Sequence, residues 1–351
     1  MTEAKFILSK SVLKNQINLL EDLGFNISYS LKTNREVGTV LQNIEETKKV
    51  NFSIHTKEEF KIINEKSKIW FFTQAESTDE LKEFLSQGIE KYVVDNEVDL
   101  ARILEAIKSL NKKITLSLRM KFLENRIGSG RYFVYGMSSK KVNNLILGLK
   151  DNNLIEAVGI HIHRKSQNTS EWKIKEELED SLTPETLKII SFVNFGGGLP
   201  IKYISYTSKV FDYISSKLKD AVDWLKQNNV DSWIEPGRFI CGPCIKLETE
   251  IIQKYDKNLI LNTTVYNCAL DNFLTNTKML VEGELTQDEE SENFLLKGNS
   301  PTRDDIFRYK VKLPKTIKVG DKIIFLNAGA YNYTTDFFGY KKLETEIKED
   351  F

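Results

Sequence analysis

Short apolar runs alternate with longer amphipathic ones along the chain to about position 240. Runs that read as strands lie at 25–32, 51–54, 68–72, 91–95, 114–120, 157–163, 191–196 and 232–236. Most are rich in β-branched or aromatic residues and bounded by Gly, Asn, Asp or charged positions. Helical periods fill the gaps. Around 96–109, Val98, Leu100, Ile103, Leu104, Ile107 and Leu110 recur near every 3.6 residues. Over 205–229, Val210, Tyr213, Ile214, Leu218, Ala221, Val222, Trp224 and Leu225 do the same, and Asn228-Asn229 end the run.

Eight strands alternating with helices fit a (β/α)8 barrel, and an open doubly wound sheet gives a similar alternation. The barrel makes the sharper prediction, because its functional residues gather where strands end. Lys32 ends the first strand, Arg119 the fifth, and His161 and His163 the sixth. Gly196, Gly197 and Gly198 follow the seventh, and Glu235 and Arg238 close the eighth.

After about 245 the rhythm changes. Segments 245–254, 257–266, 293–298, 308–313 and 322–327 read as strands without long helices, with turns at Leu313-Pro314-Lys315 and Val319-Gly320-Asp321. The expected organisation is a barrel domain over 1–242 and an all-β domain over 243–351. The acidic run 282–293 reads as a solvated loop.

Composition narrows the function classes. The chain has 351 residues, enough for a large domain and a smaller one. Fifty basic and fifty acidic residues cancel, which argues against a nucleic-acid or anionic-membrane surface. The N-terminal stretch lacks the basic start and long apolar run of a signal peptide, and no apolar stretch reaches membrane-spanning length. Three cysteines suit a reducing compartment, and the cytoplasm is the expected one.

Lys32 sits at the end of a mostly apolar strand. A desolvated amine there is costly unless it has a partner or a covalent role, and a Schiff base is one such role. The Gly196–Gly198 run suits either close backbone packing or convergence of N–H groups on a phosphate. In Glu235-Pro236-Gly237-Arg238 a carboxylate and a guanidinium stand three residues apart, fit for a ring nitrogen and a phosphate, or for a plain ion pair. His161 and His163 share a strand face, a spacing that also fits a metal pair, but no acidic or Cys ligands lie nearby in sequence, so no metal is expected. Cys241-Gly-Pro-Cys244 lacks a second CxxC and reads as buried structural thiols.

Taken in order, these pieces resemble the fold-type III pyridoxal-phosphate decarboxylases, the ornithine/diaminopimelate/arginine decarboxylase group related to alanine racemase. The stretch Tyr29-Ser-Leu-Lys32-Thr-Asn34 resembles its Schiff-base lysine motif. Gly159-Ile-His161-Ile-His163-Arg-Lys-Ser166-Gln167 resembles the motif in which the second histidine stacks on the cofactor ring and the serine meets its phosphate. The resemblance implies phosphate contacts from Gly196, Gly197, Gly198, Gly237, Arg238 and Tyr331, a pyridine-nitrogen contact from Glu235, and Arg119 beside the ring. It also implies a barrel plus β-domain, a homodimer with shared active sites, and α-decarboxylation of an amino acid.

One region departs from that pattern. Gly298-Asn-Ser300-Pro301-Thr302-Arg303-Asp304-Asp305 stands where the family has a proton-donating cysteine followed by an acid. Pro301 takes the place of the cysteine. Lys278, Arg303 and Asp305 are therefore expected around the substrate's distal end. A neutral or anionic end would suit them, as in citryl-conjugated amino acids of siderophore pathways. The alternatives are a free basic amino acid (ornithine, lysine, arginine or diaminopimelate, in polyamine or lysine biosynthesis), a racemase, or a non-catalytic cofactor-binding protein.

Overall fold

The computed structural model describes residues 3–122, 135–204, 210–275, 277–286, 290–332 and 334–351. Positions 205–209, the start of one expected helix, and 287–289 of the acidic run lie outside the described residues. The chain divides into two compact units, one built from 17–199 and 209–236, the other from 1–16, 200–208 and 237–351.

Strand β1 (Lys5–Ser9) belongs to the second of these units. The next strands build the barrel: β2 (Asn26–Ser30), β3 (Asn51–Ile54), β4 (Ile69–Phe72), β5 (Lys91–Val94) and β6 (Ile114–Lys121). A two-residue strand, β7 (Met137–Ser138), pairs with the end of β6. Then come β8 (Ile155–His161), β9 (Phe192–Asn194) and β10 (Asp231–Ile234). All pair in parallel in the cyclic order β2-β3-β4-β5-β6-β8-β9-β10, and the pairing of β10 with β2 closes the ring. This is a closed (β/α)8 barrel, and the open-sheet alternative is excluded.

Parallel strands buried on both faces need apolar side chains in both directions, so these strands were readable as apolar runs. Alternate residues face the barrel axis. Toward the strand starts the interior is aromatic: Trp70 packs edge-on against Phe192 and Trp233, at centroid distances of 5.2 and 5.6 Å. Gly159 faces the same layer, where an added Cβ would lie 2.5 Å from the Phe192 ring.

The second unit is a mixed sheet. Strand β11 (Ile245–Tyr255) pairs with β12 (Asn258–Leu261), with β16 (Lys322–Leu326) and with β1. The pair β14 (Ser291–Lys297) and β15 (Ile306–Pro314) continues the sheet from β12, while β13 (Leu280–Val281) lies against β16. Strand β17 (Glu344–Lys348) runs parallel to β1. A division at 242/243 would thus cut β1 from its sheet and separate Gly237–Gly242 from the unit in which those residues pack. No helix among the described residues is long and apolar enough to cross a membrane.

Candidate active site

Two residues above the aromatic layer, the barrel interior becomes polar. Glu235, one residue past β10, is 6 % exposed. Its Oε1 accepts hydrogen bonds from Ser53 Oγ at 3.0 Å and Asn194 Nδ2 at 2.8 Å. Its Oε2 faces His161 Nε2 at 2.9 Å. Ser28 Oγ lies 2.7 Å from Ser53 Oγ and extends the chain of contacts to β2. Three strands therefore converge on one carboxylate and a fourth reaches it through Ser53, each by a residue at the inward parity. A carboxylate has about four acceptor positions, and these three donors leave one.

The other ring nitrogen of His161 is buried, with no hydrogen-bond partner among the described residues. The ring packs edge-on against Phe72 at 5.2 Å. His163, two residues beyond β8, lies parallel to His161, with 8° between the planes and 6.4 Å between centroids. Its Nδ1 accepts the Gly197 N–H at 3.2 Å. Burial holds His163 well below the ordinary histidine value, and the positive charges of Arg119, Lys32 and Arg164 push the same way. The ring is neutral at pH 7, with its hydrogen on Nε2, and can lie against a cationic ring without charge repulsion.

Arg119, near the end of β6, approaches Asp95 Oδ1 at 3.5 Å and lies over the Tyr135 ring at 5.0 Å. The same Asp95 oxygen accepts the Gly136 N–H at 2.8 Å. Burial lowers the arginine's pKa, opposed by Asp95 and Glu235. Asp95, Ser53 and Asn194 are polar residues at or just beyond strand ends, and sequence reasoning did not single them out. The end-of-strand rule could have flagged them.

Several expectations change. Strand β2 stops at Ser30, and Lys32 lies in the following 3-10 turn, Leu31–Thr33, which buries Leu31 and Thr33 and leaves Lys32 exposed. The expected strand-end lysine is thus an exposed turn residue, because the turn directs its two neighbours inward instead. In the glycine run, the Gly196 N–H bonds to Asn194 Oδ1 at 2.9 Å and the Gly197 N–H to His163, so these two donors serve the protein. Steric need dominates here: a Cβ at Gly196, where φ is +63°, would lie 2.2 Å from the Ile162 carbonyl. Ser166 is exposed at the barrel end.

The remaining expected residues belong to the second unit. Gly237 precedes the short helix Arg238–Cys241. The Arg238 guanidinium is held by both oxygens of Asp271, at 2.6 and 3.0 Å, and donates to Tyr203 Oη at 3.0 Å. Tyr331, with φ +57°, places its ring 5.2 Å from the same guanidinium. The plain ion pair is therefore what Arg238 makes, with Asp271 rather than a nearby Glu as its carboxylate. Asp305 is fully buried and takes the Val265 and Ser300 N–H groups, both at 2.9 Å. It closes its own loop instead of facing a substrate. Arg303 is 93 % exposed and pairs with Asp304 at 3.3 Å. Lys278 is half-buried, and desolvation lowers its pKa.

Cys241 and Cys244 are buried and unbridged; Cys244 Sγ approaches the Cys241 carbonyl at 3.3 Å. Burial raises the Cys244 thiol well above its ordinary value and pushes Cys268 up to about 12.

The barrel interior thus offers a buried carboxylate with a spare acceptor position, a neutral flat imidazole and a nearby lysine, a set that fits a protonated pyridine ring bearing an aldehyde. Comparison with known proteins agrees with that fit. Residues 9–242 match the family model described as "Pyridoxal-dependent decarboxylase, pyridoxal binding domain". The chain is 23 % identical over 310 residues to diaminopimelate decarboxylase of Staphylococcus aureus (strain COL), covering 77 % of this chain and 68 % of that one. It is 21 % identical over 286 residues to lysine/ornithine decarboxylase of Selenomonas ruminantium, covering 77 % and 69 %. Among solved structures, lysine decarboxylase from Selenomonas ruminantium superposes with a TM-score of 0.80 at 18 % identity, over 100 % of this chain and 94 % of that one, a likeness of fold. With two thirds of its length inside the family model, the chain belongs to the pyridoxal-dependent decarboxylases, carboxy-lyases that use pyridoxal phosphate.

Proposed function

We propose that the chain removes the α-carboxylate of a free basic amino acid, within the class formed by lysine, ornithine, arginine and diaminopimelate. The observation that carries this is the substrate class in the names of both curated relatives, diaminopimelate decarboxylase and lysine/ornithine decarboxylase. The reason for expecting an anionic distal end has also weakened. Arg303 faces solvent beside Asp304, and Asp305 is committed to backbone donors, which leaves half-buried Lys278 as the one basic residue of that expectation out of full solvent.

Pyridoxal phosphate, when bound, supplies an electron sink for the pair left as CO2 departs. In this reading Lys32 holds the cofactor through its amine, and the neutral His163 lies against the ring. Glu235 accepts a hydrogen bond from the protonated ring nitrogen at its open position, and its three fixed donors keep the carboxylate aimed there. Arg119, positioned by Asp95, adds positive charge near the ring. Ser166 and the Gly198 end of the glycine run are the barrel groups proposed to meet the phosphate. The roles of Gly237, Arg238 and Tyr331 toward phosphate remain part of the proposal, with Arg238 already bound to Asp271.

The second unit exposes Phe273, Leu274 and Phe337, and both phenylalanine rings pack on Tyr266. An apolar group of that kind supports self-association as a dimer. Light scattering should then give twice the chain mass.

The function is tested by CO2 release from L-lysine, L-ornithine, L-arginine, meso-diaminopimelate and citryl-ornithine. At least one free amino acid should exceed the conjugate in kcat/KM by tenfold or more. Preference for the conjugate would overturn this reading and restore the anionic one.

A further inference from the structure

The chain contains three histidines, and two of them are committed within the barrel. His161 gives its Nε2 hydrogen to Glu235, and His163 is neutral, with Nδ1 held by Gly197. The third, His55, is the first residue beyond β3, two positions after Ser53, whose side chain faces the barrel axis at Glu235. Strand parity places His55 one step above that carboxylate, at the C-terminal mouth. There β3 lies beside β2, with Ser53 opposite Ser30, two residues before Lys32.

His55 does not stand alone. Its Nδ1 lies 2.8 Å from Glu59 Oε2, and the same oxygen accepts the His55 backbone N–H at 2.9 Å. Glu59 is fully buried, and its Oε1 has no hydrogen-bond partner among the described residues. Burial pushes this carboxyl up, but the two bonds from His55, with the charge of His55 and Arg35, outweigh it and keep Glu59 ionised. An ionised carboxylate only accepts, so Nδ1 must donate, and Nε2 is left as the working nitrogen. The imidazole is 39 % exposed, so it can exchange protons with solvent. Thr56 caps the helix Lys57–Ile62 by accepting the Glu59 N–H at its hydroxyl. The ring contact is not needed for the cap, which gives the imidazole a separate purpose.

Decarboxylation replaces a C–C bond by a C–H bond, so one proton must reach the carbon that loses CO2. Building on the decarboxylase reading above, we infer that His55, backed by Glu59, is the group that delivers this proton. In this step the ring begins as an imidazolium, with hydrogen on both nitrogens: the C–COO⁻ bond breaks, CO2 leaves, and the electron pair left behind takes the Nε2 proton of His55 to form the C–H bond. His55 ends neutral, with Nδ1 still bonded to Glu59, and regains a proton from water. Carboxylate-oriented imidazoles serve this acid–base role generally.

His55→Gln tests this without breaking the helix cap, because the Thr56 hydroxyl still accepts the Glu59 N–H. Wild-type protein turned over in D2O should place one deuterium on the product carbon with a single stereochemistry. The variant should still take up pyridoxal phosphate with its visible absorbance, lose at least about 100-fold in kcat, and give product deuterated without stereochemical preference. In cofactor-free protein, nitrogen-15 spectra should show His55 Nδ1 carrying hydrogen at neutral pH. A variant that keeps both rate and stereochemistry, or an Nδ1 without hydrogen, overturns the proposal and leaves the decarboxylase reading standing. A wild type that takes up cofactor yet releases CO2 from none of the panel overturns that reading, and the role of His55 with it.

Discussion

Glu235 and Arg238 are three residues apart in sequence, yet the two buried charges are satisfied in opposite ways. Glu235 lies in the barrel among Ser53, Asn194 and His161, donors that are not held to it by full opposite charge, and one acceptor position stays open. Arg238 lies in the second unit locked to both oxygens of Asp271, with Tyr203 as a further partner. The Tyr203 hydroxyl is itself raised above its ordinary value, mainly by burial. A charge held by neutral dipoles keeps its field for an incoming group, whereas a bidentate pair spends most of its field internally. The first arrangement suits chemistry and the second suits stability.

That contrast predicts that the two charges fail differently. Glu235→Gln should leave the fold and cofactor uptake intact and slow turnover by roughly 10²–10³-fold, about 3–4 kcal/mol of barrier. Steady-state kinetics beside a thermal melt would check this, and near-normal kcat would make Glu235 merely structural. Asp271→Ala should act chiefly on stability, costing about 3 kcal/mol, because it leaves the Arg238 guanidinium buried without its counter-charge. Denaturant unfolding measures the loss, and an unchanged midpoint would mean that solvent or another acceptor rescues the arginine.

A smaller effect should follow from His163. Its folded-state pKa lies below the unfolded value of about 6.5, so between the two the unfolded chain binds more protons and stability rises with pH. The contribution is complete above about pH 6.5 and falls as the pH drops toward the folded-state value, by at most about 1.4 kcal/mol per pH unit. Comparing unfolding free energies of wild type and His163→Gln at pH 7 and 5.5 isolates this slope, and identical slopes would show that the imidazole is not desolvated. The least effect is expected at Cys241 and Cys244. Serine at either site should leave kcat within about twofold, and both native thiols should resist alkylation until the protein unfolds, since both are buried and burial raises the Cys244 thiol well above its ordinary value.

The barrel was legible because a strand buried on both faces must be apolar on both, and the run 51–54 coincides with β3 residue for residue. Strands β1 and β17 were not legible. Their partners lie more than 200 residues away or at the opposite end of the chain, and β17 reads Glu-Thr-Glu-Ile-Lys, with the polarity of a loop. The inward histidines and Glu235 could be found from strand ends together with family resemblance. Asp271 could not, because nothing in its local sequence announces a bond to a residue 33 positions earlier. Asp305, expected at the substrate's distal end, was not legible for a related reason: only the closed loop shows that its oxygens take the backbone N–H groups of Val265 and Ser300.

The central claim is that Lys32 anchors the cofactor over the Glu235 network, and one labelling experiment addresses it most directly. Protein loaded with pyridoxal phosphate is reduced with borohydride, digested, and its peptides mapped by mass spectrometry. The account predicts a single pyridoxyl-modified residue, Lys32, with the modification and the visible absorbance both absent from Lys32→Ala. Modification centred on another lysine, or undiminished in Lys32→Ala, would contradict it.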